Sequence, residues 1–113
     1  MKTIVTFRAT FNAAHIVLGD TTCGERMHGH DWFAEASLVG PVNSVGRIDT
    51  PLENYLWASV AELDKKVVNE MVPAVHPTPE GVAGWLFERF RLECPGLVGV
   101  TVGFAGHHAT VEV

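Results

Sequence analysis

Ile4-Val5-Thr6-Phe7-Arg8-Ala9-Thr10-Phe11-Asn12-Ala13-Ala14-His15 is the stretch on which the fold turns. Val5, Phe7, Ala9, Phe11 and Ala13 share one parity and Thr6, Arg8, Thr10 and Asn12 the other, the period of two expected of a strand with one buried side. A second alternating run, from about His30 to Val39, sets Trp32, Ala34, Ala36 and Leu38 on one face. Between the two, the segment from Gly19 to Gly29 is rich in Gly, Asp and Thr and reads as a loop. That layout has a chemical consequence. Residues two apart on a strand point to the same side, so His28 and His30 converge on one ion if they open the second strand. His15 supplies a third nitrogen if it closes the first. Imidazole is a common metal ligand, and three nitrogens with one open position is the ligand count of a catalytic zinc rather than a structural one. The bland alternative is that these are hydrogen-bonded structural histidines, a common fate for pairs at this spacing.

Beyond the second strand, Gly40-Pro41 interrupts the alternation, and Val45 to Asp49 reads as a short extension of it. The period then changes. Leu52, Leu56, Val60, Leu63, Val67 and Met71 recur every three or four residues, which predicts one amphipathic helix. Asp49 or Thr50 can cap it, with Pro51 in its first turn. A second helix is expected from Thr78 as N-cap, with Pro79 at N1, Glu80 complementing the dipole, and Val82, Leu86 and Phe90 facing inward. Cys94-Pro95-Gly96 ends it. Alternation returns in Val98, Val100, Val102 and Phe104, then, after a turn at Ala105-Gly106-His107, in Ala109, Val111 and Val113. The expected architecture is α+β in the order ββααββ: a four-stranded antiparallel sheet with two helices on one face. Such a sheet has two bare edges, and joining copies edge to edge into an oligomeric barrel would cover them.

The chain of 113 residues is expected to form one domain over 1–113. With 47% hydrophobic and 19% charged residues it is not a disordered sequence. A net charge of −5 argues against a nucleic-acid partner and gives no general attraction for a phosphorylated substrate, so any such attraction must be local. Cys23 and Cys94 are too few for a disulfide framework. No stretch approaches the ~20 apolar residues of a membrane span, and the expected location is the cytoplasm.

Five motifs, in order, resemble the 6-pyruvoyl-tetrahydropterin synthase and 6-carboxytetrahydropterin synthase family. They are Phe11-Asn12-Ala13-Ala14-His15, Cys23 with His28-Gly29-His30-Asp31-Trp32, Gly46-Arg47-Ile48-Asp49, Leu63-Asp64-Lys65-Lys66-Val67-Val68-Asn69, and Pro77-Thr78-Pro79-Glu80. The resemblance implies a tunnelling fold, assembled as a trimer or hexamer with active sites at subunit interfaces. It implies Zn2+ on His15, His28 and His30, and a small-molecule substrate, 7,8-dihydroneopterin triphosphate or a related reduced pterin. Cys23 would move protons, helped by Asp64 and the residue after it. A cysteine beside a dication is biased toward the thiolate and can act as a base. Cys94, at a helix end, is read as structural.

The chain departs from the family at two places. Lys65 stands where the family has a catalytic histidine, and a lysine, protonated at neutral pH, can donate a proton but rarely accepts one. Asp64 and Lys65 could equally be a solvated surface pair. Phe104 stands where the family has a glutamate that anchors the pterin ring, and a phenyl ring cannot accept hydrogen bonds from it. His107 and His108 could enter a site altered in this way. Three functions therefore stay open: a zinc-dependent lyase or synthase acting on a reduced pterin, a divergent member with another small-molecule substrate, and a non-catalytic zinc-binding assembly protein.

Overall fold

The computed structural model describes residues 2–17, 26–40 and 51–113. The two alternating runs form long strands, β1 (Thr3–His15) and β2 (His28–Gly40), of 13 residues each. They pair antiparallel along their whole length, from Thr3 opposite Gly40 to His15 opposite His28. β2 pairs in turn with β4 (Leu97–Phe104), and β4 with β5 (His107–Glu112), both antiparallel. β2 begins two residues earlier than expected, which makes His28 a strand residue.

The helical region departs from the expectation. The run from Leu52 to Met71 is not one helix. It divides into α1 (Leu52–Ala61), a turn, the two-residue strand β3 (Lys66–Val67) and the single-turn α2 (Val68–Met71). Lys65 takes a left-handed backbone, φ 60°, and its N–H donates to the Asn12 carbonyl of β1. The chain is thereby drawn out of the helix and laid parallel to Ala13–Ala14. The break also shifts the buried stripe: Leu63, Val68 and Val72 are buried, whereas Val67 is half-buried and Met71 exposed. Among the described residues the sheet therefore has five strands in mixed orientation, in the order β3-β1-β2-β4-β5, rather than four antiparallel ones. Pro51 occupies the N-cap position of α1, not its first turn. Asp49, Thr50, the Gly46–Asp49 motif and the extension from Val45 lie outside the described residues.

The helix α3 (Pro79–Arg91) begins as its residues dictate. Thr78 is the N-cap, its hydroxyl accepts from the Gly81 N–H at 3.3 Å, and Pro79 sits at N1. Leu52, Leu56 and Val60 of α1 and Val82, Leu86 and Phe90 of α3 are buried against the sheet face that carries Ala9, Phe11, Trp32, Ala34, Ala36, Val100 and Val102. The opposite face is polar: Thr6 bonds Ser37, Arg8 pairs with Glu35, and Thr101 bonds Thr110 across neighbouring strands. A register shift between Ser37 and Leu38 sets Leu97 opposite Leu38 and buries it, leaving Val98 only half-buried. No helix among the described residues is long and apolar enough to cross a membrane.

The two glycines inside α3 should respond oppositely to alanine. A Cβ on Gly81 would lie 1.9 Å from the His76 carbonyl oxygen, whereas one on Gly84 meets nothing within 4 Å. Gly84→Ala is expected to stabilise by about 0.5–1 kcal/mol, and Gly81→Ala to destabilise because the backbone at His76 must move. Urea unfolding of the two variants checks both signs.

Candidate metal centre

Parity carries the apolar stripe straight into the histidines. Along the inner face of β1 and β2 the cross-strand pairs run Phe7–Ala36, Ala9–Ala34, Phe11–Trp32, Ala13–His30 and His15–His28. The last two belong to the same face as the core, displaced to its end. His15 is 2% exposed, and His28 and His30 are half-buried. One ligand atom from each ring lies within 4.8 Å of the others.

Hydrogen bonds set the tautomers. His15 Nδ1 lies 2.6 Å from the Pro77 carbonyl oxygen and His28 Nδ1 lies 2.8 Å from that of Arg26. A carbonyl can only accept, so both Nδ1 atoms carry hydrogen. In the neutral rings both Nε2 atoms then present lone pairs, and these stand 3.0 Å apart. Two lone pairs at that distance repel unless a cation or a shared proton lies between them. Tetrahedral zinc with nitrogen bonds of ~2.05 Å separates its ligands by about 3.3 Å, so the His15–His28 pair is near that spacing, and the three donor atoms, within 4.8 Å of one another, would draw together on such an ion. Backbone carbonyls on the remote nitrogens are the usual way of orienting metal-bound imidazoles.

The neighbouring residues fix this geometry. Asp64 accepts the Asn12 N–H through its carboxylate at 2.9 Å. Asn69 bonds both backbone groups of Ile16, accepting its N–H at 2.9 Å and donating to its carbonyl at 3.0 Å. The motif from Leu63 to Asn69 thus grips β1 on either side of His15. The Trp32 indole donates to the Ala13 carbonyl at 3.1 Å and packs edge-on against His15, with centroids 5.3 Å apart. Phe104 lies at the end of β4 with its ring parallel to His30, centroids 3.8 Å apart and planes within 6°. His107 stacks behind it at 5.7 Å, and its Nε2 lies 3.0 Å from Glu80 Oε1. That hydrogen bond holds the Glu80 carboxyl below the ordinary glutamate range.

The structure thus brings together His15, His28 and His30, as the spacing suggested, and sets Phe104 and His107, both singled out in the sequence, beside them, while His108 is exposed opposite Gly103. Asp64 and Lys65 sit one strand away, in the turn docked on β1. Lys65 is exposed and borders an open cavity of about 520 Å³ that is also lined by Lys66, Asn12, Ala14, Asp31 and the triad's own His30. Asn12, Ala14 and Asp31 have the parity of the polar face. Cys23 lies outside the described residues. Cys94 is buried, and burial pushes its thiol pKa up, which suits an inert core residue. Sequence reading missed the carbonyl of Pro77 and the grip of Asn69. Asn69 had one signal, its fixed place in the fourth motif.

Zinc is expected to stabilise the protein through these three rings. At a hundredfold excess over its dissociation constant the gain is about 2.7 kcal/mol. Thermal unfolding with and without a chelator should show this for the wild type and lose it in His28→Ala, and elemental analysis should find one ion per chain only in the former.

Residues 4–103 match the family model described as 6-pyruvoyl tetrahydropterin synthase. The chain is 33% identical over 97 residues to the dihydroneopterin monophosphate aldolase of Pyrococcus furiosus, covering 85% of this chain and 82% of that protein. The fold is similar to that of Caenorhabditis elegans 6-pyruvoyl tetrahydropterin synthase, with a TM-score of 0.84 at 20% identity over 100% of this chain and 96% of the other. The Plasmodium falciparum 6-pyruvoyl tetrahydropterin synthase superposes with a TM-score of 0.71 at 14% identity, over 99% and 98% of the two chains.

Proposed function

The chain belongs to the 6-pyruvoyl tetrahydropterin synthase family, and we propose that it is a zinc-dependent lyase that cleaves the side chain of a phosphorylated dihydroneopterin. The observation that carries this reading is the pair of carbonyl-fixed histidines, His15 and His28, whose Nε2 atoms face one another across 3.0 Å with His30 alongside. Such an arrangement suits a cation, and the grouped donors among the described residues are these three rings, with Phe104 packed against His30. A bound zinc supplies a Lewis acid that makes a side-chain hydroxyl more acidic.

Carbon–carbon cleavage is favoured over loss of triphosphate by the similarity to an aldolase. In dihydroneopterin monophosphate the bond between the first and second side-chain carbons breaks. The second hydroxyl gives up its proton and its carbon becomes an aldehyde. The electron pair passes to the first carbon, where the adjoining ring spreads the charge, and a proton is returned there. The products are 6-hydroxymethyl-dihydropterin and glycolaldehyde phosphate, and all atoms balance. In this reading Cys23 takes the hydroxyl proton. Asp64 acts by fixing β1 through Asn12. Lys65 is a proton donor in this reading; the cavity it shares with His30 suits a site completed between protomers, as in the trimer or hexamer the resemblance implies. Beside the short β3, Thr3 to Phe11 of β1 pair with no strand on their outer side among the described residues, which leaves an edge for a second copy.

The test is to offer zinc-loaded protein the mono- and triphosphates of dihydroneopterin and identify products by mass spectrometry. Glycolaldehyde phosphate is expected from the monophosphate, with turnover lowered at least about 100-fold in His28→Ala and Cys23→Ala. Release of inorganic triphosphate with the carbon chain intact would instead mark the synthase-type reaction. Consumption of neither substrate would remove the pterin reading.

A further inference from the structure

A closed circuit of contacts runs from the triad out to Glu80 and back. The Pro77 carbonyl holds His15, and three residues further on Glu80 holds His107. His107 stacks on Phe104 and Phe104 on His30, whose ring lies 5.0 Å from that of His15. Segment 77–80 therefore ties a metal-facing ring to a carboxylate, and the stacked rings span the space between the two. Phe104 and His107 are cross-strand partners at the β4–β5 turn. Glu80 is not spent by its contact: a carboxylate has about four acceptor positions, and His107 uses one of them. The Glu80 N–H and the Thr78 hydroxyl also donate to this carboxylate, but the side chain is 63% exposed and keeps acceptor capacity toward solvent. Gly103 also belongs to this wall. A Cβ there would lie 2.4 Å from the His107 carbonyl oxygen, so only glycine lets the turn close and bring His107 behind Phe104.

A substrate held at the triad by a short oxygenated arm must place its flat ring somewhere on this same face. Phe104, with His30 stacked on one side and His107 on the other, can give the ring an apolar edge but no hydrogen bonds. A ring that presents a ring N–H beside an exocyclic amino group needs a paired acceptor, and both oxygens of one carboxylate match that geometry.

We propose that Glu80 is the ring-recognising residue of this site: its carboxylate, oriented by His107, accepts the paired N–H donors of a pterin-type heterocycle whose edge lies along Phe104. The inference rests on the pterin reading given above and adds the residue that selects the ring. The lowered pKa of Glu80 keeps that acceptor ionised into mildly acidic solution. Without His107 the carboxylate loses its orienting partner, so His107 is a positioning residue here.

The experiment measures binding of 6-hydroxymethyl-dihydropterin by calorimetry and steady-state kinetics with dihydroneopterin monophosphate, on zinc-loaded wild type, Glu80→Gln and His107→Ala. Zinc content and thermal unfolding serve as controls. Glu80→Gln is expected to weaken ring binding about 10- to 100-fold, raising KM with kcat nearly unchanged and zinc content unaltered. Its preference for the pterin over the analogue lacking the exocyclic amino group should shrink in step. His107→Ala should show a smaller loss in the same direction. Binding by Glu80→Gln equal to wild type overturns the assignment while leaving the lyase reading intact. Wild type that binds no pterin overturns both.

Discussion

The register of one strand pair governs this molecule. Thirteen consecutive residues of β1 face thirteen of β2, and the inner parity reads as small and aromatic side chains until it ends in three histidines. A slip of one residue would carry Phe11 and Trp32 to the polar side, so the hydrophobic face specifies the register with the energy of the whole core. The histidines inherit that precision. Their backbone positions are set by apolar residues two, four and six places away.

A strand end frays unless something grips it, and here the grip comes from the segment after α1. The left-handed backbone of Lys65 lets the chain leave the helix, donate to Asn12 and run parallel to Ala13–Ala14. A non-glycine residue in that conformation costs of order 1 kcal/mol. The cost is offset by the bonds it enables, from Asp64 to Asn12 and from Asn69 to Ile16. Asp64 thus has a structural occupation irrespective of any part in proton transfer. The family motif between Leu63 and Asn69 makes physical sense as a clamp on the strand that bears His15.

These relations explain what the sequence disclosed. Period-two alternation exposed four of the strands, because burial on one side leaves a mark at every second residue. The triad was legible because histidine at those parities can only extend the core face. The break at Lys65 was not legible, since Leu63, Val67 and Met71 keep a helical interval through it; only the fold reveals that Val68 and Val72 take over the buried positions. β3 left no signal because two residues carry no period, and it owes its existence to the neighbouring strand. The Thr78 cap was plain, being local chemistry. The carbonyl of Pro77 that orients His15 was not, because a backbone acceptor leaves no trace in residue identity.

The placement of Phe104 changes how such a site can choose its ligand. At the end of β4 its ring covers one face of His30 at stacking distance and packs edge-on against Trp32 at 4.6 Å. An apolar wall beside the imidazoles lowers the local dielectric, which strengthens charge interactions across the open side and disfavours water there. It also contributes area without direction, since stacking accepts any flat ring. Direction then has to come from groups at the wall's margin, where backbone turns rather than strand interiors set the geometry. The turn between β4 and β5, with Ala105 and Gly106 both at positive φ, is such a margin. It is short enough to hold His107 opposite Phe104, and α3 begins close enough to bring Glu80 against it. On the proposed reading, ring selection would be separable from metal ligation: the strand pair β1–β2 carries the triad, and the meeting of a hairpin with a helix start carries Glu80 and His107.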